Sequence, residues 1–157
     1  MKSSVKHIVL VLFVCMWCVC VGCRGIKIKY PSGRDTRESY GDGTFQLLSL
    51  SKTNQLFLSN EAYNSIVLHN VQGIRESDGV LYAVGRVDQC TTYFSADLST
   101  YTMCICTISP EGADSKVYIY RLDEMKENGD LVCYHSLAEF PETARNVFDE
   151  IEYPLRR

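Results

Sequence analysis

Hydrophobic and polar positions give the chain two textures. Ile8 to Gly22 is an uninterrupted apolar or small run behind Lys2, Lys6 and His7, the order of charged start and greasy stretch that marks a secretory signal. As a helix at 1.5 Å per residue, its 15 residues would span roughly 23 Å, short of the ~30 Å hydrocarbon core of a bilayer. A buried core helix needs polar positions on one face, and the run has none. Export is therefore the expectation.

After Thr44 the pattern becomes short apolar runs separated by turn residues. The runs predict strands at Thr44–Leu50, Gln55–Ser59, Ser65–Val71, Val80–Val87, Thr91–Ser95, Tyr101–Ile108, Lys116–Leu122 and Leu131–Leu137. Ser51-Lys52-Thr53-Asn54, Glu76-Ser77-Asp78-Gly79 and Pro110-Glu111-Gly112 read as turns. Asn128-Gly129 is the sharpest hairpin cue, because both residues tolerate positive φ. Short connections favour antiparallel neighbours. Several strands are apolar on both faces, as in Cys104, Cys106 and Ile108 opposite Met103 and Ile105, and such strands need cover on each side.

One helix is available to supply part of that cover. Pro141 suits a helix start, and Ala144, Val147, Phe148 and Ile151 fall at i, i+3, i+4 and i+7. The expectation is a mainly β fold: an antiparallel sheet of about eight short strands, whether a curled sheet, a sandwich or a barrel, with one C-terminal helix over residues 141–151.

Charge divides the chain further. Without residues 1–22, a proposed signal peptide, fourteen basic residues face nineteen acidic ones. Arg24 to Thr44 is basic by two charges, carries Pro31-Ser32-Gly33 and Gly41-Asp42-Gly43, and shows no apolar period. Residues 23–44 thus read as an anchor cysteine and a flexible tether, either a solvated linker or a segment suited to an anionic membrane surface. Residues 45–157 read as the β-rich domain, with nine basic residues against sixteen acids. That sign repels phosphate backbones, so nucleic acid is not an expected partner.

The end of the apolar run, Cys20-Val21-Gly22-Cys23, resembles the lipobox of bacterial lipoproteins. In that family a small residue precedes a cysteine that is diacylated and becomes the new N-terminus after cleavage. Val21, Gly22 and Cys23 match the pattern, while Cys20 stands where leucine is usual. The resemblance covers the first 23 residues alone. It implies lipidation at Cys23 and an extracytoplasmic place at the cell membrane, with two acyl chains enough for a stable anchor; an ordinary signal would instead release a secreted protein.

Candidate chemistry in the domain is sparse. Cys90, Cys104, Cys106 and Cys133 lack the tight pairs of a zinc site. In an exported protein one disulfide, Cys90–Cys106, follows if a hairpin turns about residue 98; four buried free thiols are the alternative. His69 and His135 lie in predicted strands, and the carboxylates of Asp123-Glu124 and Glu127 to Asp130 do not match a calcium loop. No nucleophile elbow, zinc helix or phosphate-cradling loop is present, and no cofactor is implied. Tyr93 and Tyr101 flank a predicted hairpin and are candidates for a ligand surface. The leading expectation is a membrane-anchored, non-enzymatic binding module for a basic protein or an envelope ligand. A hydrolase using His69 or His135, and a small-ligand carrier barrel, are the alternatives.

Overall fold

The computed structural model describes residues 29–110 and 122–151. The proposed signal, Cys23 and most of the strand expected at Lys116–Leu122 lie outside these residues. The fold is mainly β, with nine strands in two sheets among the described residues. The first sheet is an antiparallel meander of β1 (Thr36–Tyr40), β2 (Phe45–Leu50), β3 (Thr53–Ser59) and β4 (Asn64–Leu68). The second contains β5 (Val71–Ser77), β6 (Val80–Val87), β7 (Cys90–Asp97), β8 (Met103–Ile108) and β9 (Leu131–Tyr134). Two short helices follow β8 in the chain: α1 (Leu122–Glu127), before β9, and α2 (Glu142–Glu150), after it.

Local chemistry sets the turns. Ser51 and Lys52 join β2 to β3 with φ of 47° and 75°, and Asp78 and Gly79 join β5 to β6 with φ of 52° and 75°. Two positive φ values in a two-residue loop match the right-handed twist of the flanking strands. His69 and Asn70 carry the chain from the first sheet to the second, and Asn70 donates its side-chain amide to the Arg86 carbonyl at 2.6 Å. No side chain could replace the hydrogen of Gly85 without meeting the His69 carbonyl oxygen at 2.4 Å.

Alternation then builds three layers. Phe45, Leu47, Leu56, Leu58 and Val67 of the first sheet face Leu81, Ala83, Phe94, Ala96, Met103 and Ile105 of the second, all fully or nearly fully buried. Phe45 meets Phe94 edge-on at 6.0 Å. The other face of the second sheet presents Tyr82, Val84 and Cys106, which Phe140, Ala144, Phe148 and Ile151 cover. The second sheet is thus the middle layer, covered on both faces over its centre, as its two-faced apolar pattern demands, while Ile108 and Val132 remain exposed. The two sheets stay separate and do not close into a barrel, and large side chains fill the space between them.

Three expectations need correction. Thr36–Tyr40, placed in the tether, forms β1 and pairs with β2; its side chains are exposed or half-buried, so it lacks an apolar signature. Asn128-Gly129 is no hairpin. Gly129, with φ of 77°, ends α1, donating its N–H to the Lys126 carbonyl while Asp130 donates to that of Met125, the paired bonds of a Schellman motif. Consequently β9 runs parallel to β8, reached through a helical crossover. The third concerns α2: Pro141 precedes the helix rather than opening it, and the first helical residue is Glu142.

Candidate functional site

The two tyrosines proposed as a ligand surface lie on opposite sides of the middle layer. Tyr93 packs among the helix-side residues, its ring 5.3 Å from Phe148. Tyr101 leans on the core between the sheets, 6.4 Å from Phe45, and donates its hydroxyl to Asp42 at 3.0 Å. Both are half-buried and serve packing. They do not share one surface.

The cysteines separate likewise. The register pairs Tyr93 with Cys106 and Thr91 with Ile108, so the hairpin centres between residues 99 and 100 rather than at 98. The Asp97 side chain causes this offset. Its Oδ1 accepts the N–H groups of Ser99 and Thr100 at 2.7 and 3.0 Å and the Ser99 hydroxyl at 2.6 Å, winding the loop after the strand. Cys106 therefore faces α2, while Cys90 shares the alternation of Phe94 on the other face. The expected Cys90–Cys106 bridge does not form. Cys90, Cys104, Cys106 and Cys133 are all free thiols. Cys90 shares a hydrogen with Ser109 at 3.3 Å, and Cys104 sits 3.7 Å from the Tyr134 hydroxyl. Burial pushes the Cys106 thiol up, with Glu139 adding to it, which disfavours the nucleophilic thiolate.

Among the described residues the histidines gather no partners for catalysis. His69 lies half-buried at the crossing between sheets, and His135 is exposed beyond the end of β9. There the backbone N–H groups of His135 and Ser136 donate to Glu139 at 3.0 and 2.9 Å. Among the described residues no cluster of three or more His, Cys, Asp or Glu side chains could hold a metal ion, and no helix is long and apolar enough to cross a membrane.

Polar side chains do converge at the end of α1, where the sequence marked an Asn-Gly pair and clustered carboxylates but not their partner Tyr63. Tyr63, in the loop between β3 and β4, is 2% exposed. Its hydroxyl donates to Asp130 at 2.6 Å and accepts from the Asn128 amide at 2.8 Å. Asn60 fixes the loop by accepting the N–H groups of Ala62 and Tyr63 at 2.9 and 2.6 Å. Burial first, then the Asp130 hydrogen bond, holds the Tyr63 hydroxyl above its ordinary range, and the Glu124 carboxylate adds to the effect. A phenol held neutral in this way is a fastener, not a base. It clips the first sheet to the α1–β9 turn across 67 residues of sequence.

Exposed acids lie on the segments that the clip joins. Glu61 is exposed in the same loop as Tyr63, where it pairs with Lys29 at 3.5 Å. Asp123 and Glu127 are exposed on α1. Such an array offers long-range attraction for cations and basic side chains. Comparison with family models, curated proteins and solved structures finds no match.

Proposed function

We propose that the chain is exported, held at the membrane by a lipid on Cys23, and works as a non-enzymatic binding module whose acidic domain takes up a basic partner protein. The observation that carries this reading is charge. From Phe45 onward sixteen acids face nine basic residues, and Glu61, Asp123 and Glu127 stand exposed on the two segments that the Tyr63 clip joins. A field of that sign steers a basic partner and repels nucleic acid.

The anchor and the domain are tested separately. Palmitate labelling in a bacterial host should mark the wild-type chain and leave Cys23→Ser unlabelled; equal label in both refutes the anchor. For the domain, the Cys23→Ser chain is immobilised and challenged with a basic and an acidic test protein of similar size. The basic one should be retained at low salt and released by added salt, since the screening length falls to about 10 Å at 0.1 M. The triple variant Glu61→Gln, Asp123→Asn, Glu127→Gln should lose most of that retention. Retention unchanged in the triple variant refutes this face as the binding surface.

A further inference from the structure

Asn128-Gly129 is the one Asn-Gly pair in the sequence, and the hairpin it advertises does not exist. The pair has chemistry of its own. A glycine after asparagine leaves the backbone nitrogen unhindered, so the Gly129 nitrogen can attack the Asn128 side-chain amide carbon. A ring C–N bond forms, the amide C–N bond breaks, and ammonia leaves with the displaced proton. Water then opens the cyclic imide at either of its two carbonyls, leaving aspartate or isoaspartate. No other reactant is needed.

We propose that Asn128-Gly129 is a deamidation site that the fold holds shut, so that its conversion records opening of the turn between α1 and β9. Access is not what protects it: Asn128 is exposed, and nothing lies within 4 Å of the space beside the Gly129 Cα. Two hydrogen bonds protect it instead. The attacking nitrogen must lose its proton, but the Gly129 N–H is committed to the Lys126 carbonyl at 3.1 Å. The side-chain amide must swing onto that nitrogen, but its Nδ2 is committed to the Tyr63 hydroxyl at 2.8 Å. The Asn128 N–H, bonded to the Glu124 carbonyl at 3.0 Å, ties the residue to the last turn of α1.

Conversion would also weaken the clip that guards the pair. A carboxylate at this position removes the donor that Tyr63 accepts and sets a new negative charge beside Asp130, which already accepts the Tyr63 hydroxyl's hydrogen bond. Like charges at such range repel, and the clip between the first sheet and the α1–β9 turn loosens. Opening permits deamidation, and deamidation favours opening.

The test is peptide mass spectrometry of the full chain after timed incubation at mildly alkaline pH, natively and in urea. Deamidation at Asn128 should be slower in the native chain by roughly tenfold or more, the protection expected of a closed local unit. Tyr63→Phe should accelerate it in native buffer. Phe148→Ala, which weakens the opposite face of the second sheet, controls for global instability and should accelerate it less than Tyr63→Phe once both are compared at equal global stability. Equal rates in native and unfolded chains overturn the proposal. So does a Tyr63→Phe rate no higher than that of wild type, or no higher than that of the stability-matched control.

Discussion

Phe148 is where the third layer is fastened to the second, and Phe148→Ala measures that attachment. The side chain is 2% exposed. Its ring stands edge-on to Tyr82 at 5.5 Å, to Tyr93 at 5.3 Å and to Phe140 at 5.2 Å. Each such pair contributes about 0.5–1.5 kcal/mol beyond burial, and the whole truncation, cavity included, falls in the range of about 3–5 kcal/mol. With a urea slope of ~2 kcal/mol/M, the unfolding midpoint should drop by roughly 1.5–2.5 M. A second readout locates the damage. Cys106 lies under α2 at 1% exposure, whereas Cys133 packs on the core between the sheets. If α2 is held mainly by this ring, Cys106 should become reactive to a thiol alkylating reagent in native buffer while Cys133 changes far less. A stability loss under about 1 kcal/mol, or Cys106 and Cys133 gaining reactivity together, would refute the account of α2 as a separately fastened layer.

Two further outcomes follow from single positions. Gly85→Ala places a methyl carbon 2.4 Å from the His69 carbonyl oxygen and 2.9 Å from the Leu68 side chain, so the crossing between the sheets must shift; about 1–3 kcal/mol of destabilisation is expected in urea titration, and a variant as stable as wild type would show the crossing to be slack. Asp97 has its carboxyl held below the usual value of 3.8 by the Ser99 hydroxyl and then by the Thr100 and Ser99 N–H groups. The stability it contributes is therefore present above that ordinary value and is lost as pH falls through the lower folded one. Asp97→Asn should keep the loop's acceptor and flatten the acid limb of the stability profile, and an unchanged limb would assign the acid sensitivity to other groups.

The parts of the fold legible in sequence are those where alternation is strong and burial two-sided. Val80–Val87 is the expected strand residue for residue, because Leu81 and Ala83 face one core while Tyr82 and Val84 face the other. The α2 stripe was legible for the same reason: Ala144 and Phe148 are buried and Ile151 closes the end. What escaped is what apolar period does not encode. β5, Val71–Ser77, ends in exposed Arg75 and Glu76 and carries an irregularity between Val71 and Gly73. β1 is an edge strand with a polar sequence. The six residues of α1 are too few to show a 3.6-residue period, so the glycine that caps the helix looked like a hairpin glycine. Both are turns that require positive φ, and only tertiary context separates them. Where the chain divides into two sheets was not legible, because that depends on how it leaves His69 and Asn70, a path that the close approach of Gly85 to the His69 carbonyl, 16 residues away, permits.

The candidate site was illegible for a related reason. Tyr63 looked like one tyrosine among ten, and its partners Asn128 and Asp130 lie 65 and 67 residues away. Seen in the fold, the domain's carboxylates divide into two groups by what they touch. Asp42 accepts the Tyr101 and Thr44 hydroxyls, Asp97 winds its loop, Asp130 accepts from the Tyr63 hydroxyl and Glu139 accepts from two backbone N–H groups. These acids are engaged in holding loops in place, where a carboxylate accepting several donors is well satisfied. Glu76, Asp78, Asp88, Asp123, Glu127, Glu142 and Asp149 are exposed, as Glu139 also is. Catalysis by a carboxylate calls for convergence on one reacting atom, and the acids that hold loops sit on separate loops. The others need no convergence, because attraction of a basic surface depends on summed charge. That division is why the binding reading rests on exposed carboxylates, and why its test neutralises three of them together.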